Sequence, residues 1–448
     1  MTTTYFADQA WLGPEDGTVH DVTIEVSGAT ITSVTTGSTP AEGAVKLPGF
    51  VMPGLVNCHS HVFHRALRGR THQGRGDFWS WREQMYSVLS GMSARAYSDL
   101  AAATYTEMTL SGITTVVEFH YLARERGGSA TSADVSVMDR AVIDAAARAG
   151  IHLVLANACY LQADVHGSAL SSAQEQFSDG SVSAFLARMD RLRGAESGPE
   201  DAAVAIHSVR GCPPPAMRAI AKWAHENDSA LHIHLSEQVK ENLDCIGAYG
   251  CTPAQLCADT GVLGDKTTAI HATHLDGDDI ALLGGSGTIA GFCPTTERDL
   301  ADGIGPARAL RDAGSPLALG SDSHAIIDLF EEARAVELNE RLATQKRGHH
   351  SAAELLTAAT VGGAASAGLS DRIGRVAAGY DADFIAVDMN STRTAGATDP
   401  VAATVFSATN ADVTDVVRKG RRVVANRRHD ELDEVGQRLA EAVQNVHA

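Results

Sequence analysis

The 448-residue chain carries 36 Lys+Arg against 55 Asp+Glu, a formal charge of -19, with 44% hydrophobic and 20% charged residues. Such a balance repels nucleic acid and anionic membrane surfaces, so neither is an expected partner, and a small anionic substrate must be captured by local arginines. The start, MTTTYFADQAWLG, lacks the basic head and apolar stretch of a signal peptide, and no run approaches bilayer-spanning length, which predicts a cytoplasmic protein. Seven scattered cysteines, Cys58, Cys159, Cys212, Cys245, Cys251, Cys257 and Cys293, suit reduced thiols better than a disulfide framework.

Residues 1–50 alternate apolar and polar residues between glycine-containing turns, which predicts short antiparallel strands. Eight short apolar runs follow, at 51–61, 112–121, 152–160, 202–210, 230–237, 267–274, 288–297 and 316–324. Alanine-rich stretches with helical periodicity lie between them, at 94–110, 135–149, 214–226 and 325–342. Strands apolar enough to be buried on both faces, alternating with helices, predict a TIM-type (β/α)8 barrel over residues 51–372. A stretch at 65–90, holding Trp79, Trp81 and Arg82, is longer than a usual strand-to-helix loop and predicts a structured cover. Residues 373–428 return to alternation, so the two ends are expected to meet in one small β-sandwich, with 429–448 left as a surface helix or tail.

Seven of the eight runs finish in polar or ionisable residues, and in such a barrel the C-terminal strand ends form the active face. In His59-Ser60-His61 the two imidazoles point to the same side of a strand, because side-chain direction alternates with period two. His232-Ile233-His234 ends the fifth run and Asp322 the eighth. His59, His61, His234 and Asp322 make a three-His, one-Asp set that suits one divalent ion, with Zn2+ expected and Fe2+ the alternative. His234 is preferred over His232 because it stands at the strand tip, three residues before Glu237.

The elements PGLVNCHSH, HIHLSE, HATH and GSDSH resemble the amidohydrolase superfamily over nearly the whole chain. Within it, HSHVFHRALRG, DFWSWREQMY, GITTVVEFHYL, HSVRGC and TTERDLADGIGP are similar to the formimidoylglutamate deiminase family. The resemblance implies metal-dependent hydrolysis of N-formimino-L-glutamate to N-formyl-L-glutamate and ammonia, in histidine degradation. The fourth run reads Ala-Ile-His-Ser-Val-Arg, without the lysine that binuclear members carry there, so one metal is expected.

On this reading the metal lowers the pKa of water from about 15.7 to roughly 7. Asp322 then takes a proton from that water, Glu237 delivers one to the departing nitrogen, and His271 polarises the attacking oxygen. His274 is left as a supporting or helix-start residue. Arg82, Tyr121, His207 and Arg210 are the positions the resemblance implies for substrate binding, arginine being suited to carboxylates through its planar fork. His64 joins them, standing where many family members have a glutamine. A homo-oligomer, a dimer first, is expected. The rival readings are a deaminase of another guanidino acid or of an aminated heterocycle, and a barrel without catalysis acting as a scaffold.

Overall fold

A computed structural model describes residues 2–71, 78–90, 92–125 and 135–447. Eight parallel strands in chain order form one sheet: Leu55–Ser60, Ile113–His120, His152–Cys159, Asp201–Ile206, Leu231–Leu235, Thr267–His271, Ile289–Phe292 and Leu317–Leu319. The second and third are buried at every position, which is why they read in the sequence as unbroken apolar runs. A bridge between Ser60 and Asp322 brings the first and eighth strands together. The Asp322 amide donates to the His59 carbonyl at 3.0 Å and the His61 amide to the Asp322 carbonyl at 3.1 Å, so the barrel closes among its candidate ligands.

Helices pack outside the strands, and their ends follow local chemistry. Helix Val137–Ala149 opens on a capping box, with Ser136 accepting from the Asp139 amide and the Asp139 side chain accepting from the Ser136 amide, and Gly150 closes it in a left-handed conformation. Ala94–Leu110 and Pro214–Glu226 occupy the stretches expected to be helical.

The terminal segments build a second sheet, in the spatial order Arg428–His429, Arg421–Ala425, Val413–Arg418, Phe384–Val387, Val45–Pro53, Thr2–Trp11, Thr18–Ser27, Thr30–Thr35. Val45–Pro53 joins the two ends, pairing antiparallel with Phe384–Val387 and parallel with Thr2–Trp11. Its core gathers Tyr5, Ile24, Ile31, Phe384 and Val417, with the Tyr5 and Phe384 rings edge to face at 5.1 Å.

Three features differ from the sequence reading. The run 51–61 divides at Gly54, where a Cβ would stand 2.1 Å from the Thr114 side chain, so residues up to Pro53 belong to the terminal sheet. The parallel pairing of Val45–Pro53 departs from the purely antiparallel expectation. The segment 373–428 also contains a helix, Pro400–Phe406, started by a proline whose missing amide hydrogen costs nothing there and by Asp399, which caps the Val401 and Ala402 amides. At the C-terminal end, Val435–His447 is helical and buries Leu439, Ala442 and Val446.

Candidate metal centre and active site

At the C-terminal ends of the barrel strands, His59, His61 and His234 form one set of convergent ligand atoms and His59, His271 and Asp322 another, each within 4.8 Å. The two sets share His59, so five buried residues from the first, fifth, sixth and eighth strands meet at one point. Three strand tips are held in left-handed backbone, Ser236 at φ 51°, His271 at φ 70° and Asp322 at φ 42°, a conformation that non-glycine residues rarely adopt without surrounding constraint. Gly320 allows the approach of the eighth strand: a Cβ there would lie 2.8 Å from the His59 Cβ.

The donor chemistry fits a divalent ion. His61 Nδ1 lies 2.9 Å from the Phe119 carbonyl and His234 Nδ1 2.8 Å from the His207 carbonyl, so both rings carry their proton there and turn a lone pair inward from Nε2. The Nε2 atoms of His59, His61 and His234 stand 3.1 to 3.2 Å apart, and Asp322 Oδ1 lies 3.4 and 3.5 Å from the first two. Donors around a four-coordinate ion with bonds of about 2.0–2.1 Å are separated by roughly 3.3 Å. Burial holds all three imidazoles below their usual pKa, His61 and His234 furthest, which favours the neutral, ligating form. Burial acts to raise the Asp322 carboxyl, but His59, His271 and His61 hold it far below the usual range.

A charged cluster flanks this set. His271 Nε2 lies 3.8 Å from both Glu237 Oε1 and Asp322 Oδ2, and its Nδ1 3.5 Å from Glu297 Oε1. Burial opposes its protonation, but Glu237, Glu297 and Asp322 push its pKa up to about 10. Glu237 also meets Arg210 Nη2 at 3.2 Å, and Arg210 Nε lies 2.9 Å from Glu241 Oε2.

His64, Tyr121, His207 and Arg210 line the same cavity as His61, His234, Glu237, His271 and Asp322, a space of about 60 Å³ walled also by Trp81, Tyr160 and Phe177. His64 Nε2 is 3.0 Å from the Tyr121 hydroxyl, and the His207 ring stands edge-on to Tyr121 and Tyr160. Arg82 falls on helix Phe78–Ser90, but its side chain, like Trp79, lies outside the described residues. His232 sits deeper in the fifth strand, with Nε2 2.9 Å from the Ser366 carbonyl, and His274 is held by its backbone to Ser236 and Asn242.

The family model described as "Amidohydrolase family" matches residues 50–423, which hold the entire barrel and every candidate ligand above. The chain belongs to the amidohydrolase family. It is similar to the formimidoylglutamate deiminase of Pseudomonas aeruginosa, 34% identical over 437 residues and 95% of each chain. A 5-methylthioadenosine/S-adenosylhomocysteine deaminase of Teredinibacter turnerae is 29% identical, covering 86% of this chain and 82% of its own. Among solved structures, an amidohydrolase from Brucella melitensis superposes with a TM-score of 0.90 at 30% identity, over 100% of both chains.

As an amidohydrolase, the protein is a hydrolase acting on C–N bonds, in a family that uses a divalent metal. Two residues of this amidohydrolase site were not singled out from the sequence. Glu297 closes the seventh apolar run in PTTE, where its place at a strand end is the sequence signal, and it accepts from the Cys293 amide while facing His271. Glu241 follows Glu237 by four residues on helix Val239–Tyr249, and its contacts with Arg210 and the Ser236 amide depend on the fold alone.

Proposed function

We propose that this amidohydrolase hydrolyses N-formimino-L-glutamate to N-formyl-L-glutamate and ammonia, as a step of histidine degradation in the cytoplasm, with one bound zinc ion. The observation that carries this reading is the polar wall of His64, Tyr121, His207 and Arg210 on the same small cavity as the ligand set, in a chain 34% identical to a formimidoylglutamate deiminase. A divalent ion held by His59, His61, His234 and Asp322 supplies Lewis acidity and a lowered pKa for water. Asp322 presents Oδ1 to the other ligands and Oδ2 to His271, which leaves Oδ2 to take the proton of the attacking water. His271, beside Glu237 and Asp322, donates a hydrogen bond to oxygen as the amidine carbon becomes tetrahedral. Glu237, set between Arg210 and His271, relays to the nitrogen that leaves the protons given up by the attacking water, so that ammonia departs instead of an amide anion.

A deaminase of an aminated heterocycle is the second reading, favoured by the 29% identity to a 5-methylthioadenosine/S-adenosylhomocysteine deaminase. An ammonia-release assay separates the two. With N-formimino-L-glutamate, guanidino acids and adenosine-type substrates side by side, the largest kcat/KM is expected for N-formimino-L-glutamate. A larger value for a heterocycle or a guanidino acid would replace the reading.

A further inference from the structure

Behind the ligands, on the opposite face of the first strand, lies a group of fully buried polar side chains that the chemistry above does not use: Asn57, Ser60, Glu118, Ser321 and His324. They come from the first and second strands and from the turn after the eighth. The ladder between the first and eighth strands is a single bridge, because the eighth strand is only Leu317–Leu319, and the turn carrying Asp322 extends beyond it. Asp322 and His324 both adopt left-handed backbone, at φ 42° and 58°. A turn of this kind needs outside support to keep one geometry.

Hydrogen bonds cross that seam in an unbroken chain. Asn57 Oδ1 accepts from the Ser321 amide at 3.0 Å and from the His59 amide at 3.4 Å, which fixes the orientation of its side-chain amide. Asn57 Nδ2 therefore donates to Ser321 Oγ at 2.7 Å. Ser321 Oγ lies 3.0 Å from His324 Nδ1, and His324 Nε2 lies 3.1 Å from Ser60 Oγ. Ser60 donates to Glu118 Oε2 at 2.6 Å. The other Glu118 oxygen accepts from the Val62 amide at 2.8 Å. Every donor along the chain has an acceptor, and each link polarises the next.

Ser60 lies between His59 and His61, and Ser321 and His324 bracket Asp322, so the chain of bonds spans the three ligands nearest the seam. We propose that Asn57, Ser60, Glu118, Ser321 and His324 act as positioning residues that hold Asp322 against His59 and His61 and thereby set the affinity for the metal. The inference rests on the family's divalent metal and is independent of the substrate.

Zinc affinity, measured by competition with a chromophoric chelator, tests it in Ser60→Ala and Ser321→Ala. Loss of outer hydrogen-bond partners weakens metal binding roughly 10–100-fold, and that is the expected change in both variants, with the thermal midpoint of the metal-free protein unmoved. Unchanged affinity, whatever happens to the midpoint, would reduce the chain to a fastening of the barrel and overturn the proposal. A conservative variant guards against a merely structural loss. Ser60→Thr keeps the hydroxyl and should bind zinc more tightly than Ser60→Ala, and equal weakening in both would overturn the proposal. Neither readout uses N-formimino-L-glutamate, so failure of the deimination assay leaves this proposal standing, and the reverse also holds.

Discussion

Glu237 sits between two basic side chains, with Arg210 Nη2 at 3.2 Å and His271 Nε2 at 3.8 Å, and it is the carboxylate of the cluster that faces the cavity without belonging to the four-ligand set. Glu237→Gln should keep the metal content and lower kcat by about 10²–10⁴, the usual worth of a positioned acid-base group. Loss of metal together with activity would make Glu237 a ligand. The same geometry alters what Arg210 is expected to do. From the sequence, its removal should hurt mainly a substrate bearing carboxylates and an uncharged formamidine much less. In the structure its guanidinium also neutralises Glu237 and Glu241, and burial of Glu241 makes that pairing matter, since its carboxyl is pushed up despite Arg210. Arg210→Ala should therefore lower kcat/KM for N-formimino-L-glutamate by roughly 2–5 kcal/mol in barrier terms, and should also impair an uncharged formamidine. A formamidine turned over at the wild-type rate would assign Arg210 to the substrate carboxylate alone.

The barrel strands were legible because a strand buried on both faces leaves a continuous apolar run, and the candidate ligands because the runs that carry them finish in polar residues. The ends of the runs were less so. Ser236, His271 and Asp322 continue the strand pattern in sequence, yet their backbone leaves the strand for the left-handed region, so the observed strands are shorter than the runs. The division at Gly54 leaves no mark in an apolar stretch, since it comes from the nearness of Thr114. Arg188 shows the same limit for helices. On Val182–Gly194 it reads as one more solvated charge, but it is buried, with Nη1 2.8 Å from Asn157 Oδ1 and 3.3 Å from Asp139 Oδ2, and Nε 2.8 Å from Asp179 Oδ1. This arginine ties the third strand to two helices. Burial acts to raise the Asp139 carboxyl, while Arg188 and His120 hold it far below its usual range, so the aspartate is charged in the interior. Arg188→Ala should lower unfolding stability by about 3–5 kcal/mol in urea titration, because a buried carboxylate loses its partner. A loss below about 1 kcal/mol, typical of a surface pair, would show that the group relaxes to solvent.

The two sheets are held to each other partly by ion pairs, among them Glu200, just before the fourth barrel strand, with Arg418 and Lys419 of the terminal sheet. Burial acts to raise the Glu200 carboxyl, but Arg418 and Lys419 lower it to about 2 from 4.5. A depressed folded-state value adds stability that is fully present above pH 4.5 and is lost as pH falls toward 2. Glu200→Gln should thus be less stable than wild type at neutral pH and should converge with it between pH 4.5 and 2. A constant difference across that window would mean the pair contributes nothing through its charge. A metal held by the four candidate ligands would bind the molecule together on a larger scale, because they come from the first, fifth and eighth strands and one of them lies on the bridge that closes the barrel. An ion that binds only the folded chain stabilises it by about 2.7 kcal/mol at a hundred times its Kd, and more as its concentration rises. Stripping the protein with a strong chelator should therefore lower its thermal midpoint, and adding back one equivalent of zinc should restore it, with elemental analysis near one ion per chain. In Asp322→Ala, which lacks the ligand that joins the seam, the chelator should shift the midpoint far less and turnover should vanish. Two ions per chain at full activity would overturn the mononuclear site, and an unchanged midpoint in metal-free wild type would show that barrel closure does not depend on the metal.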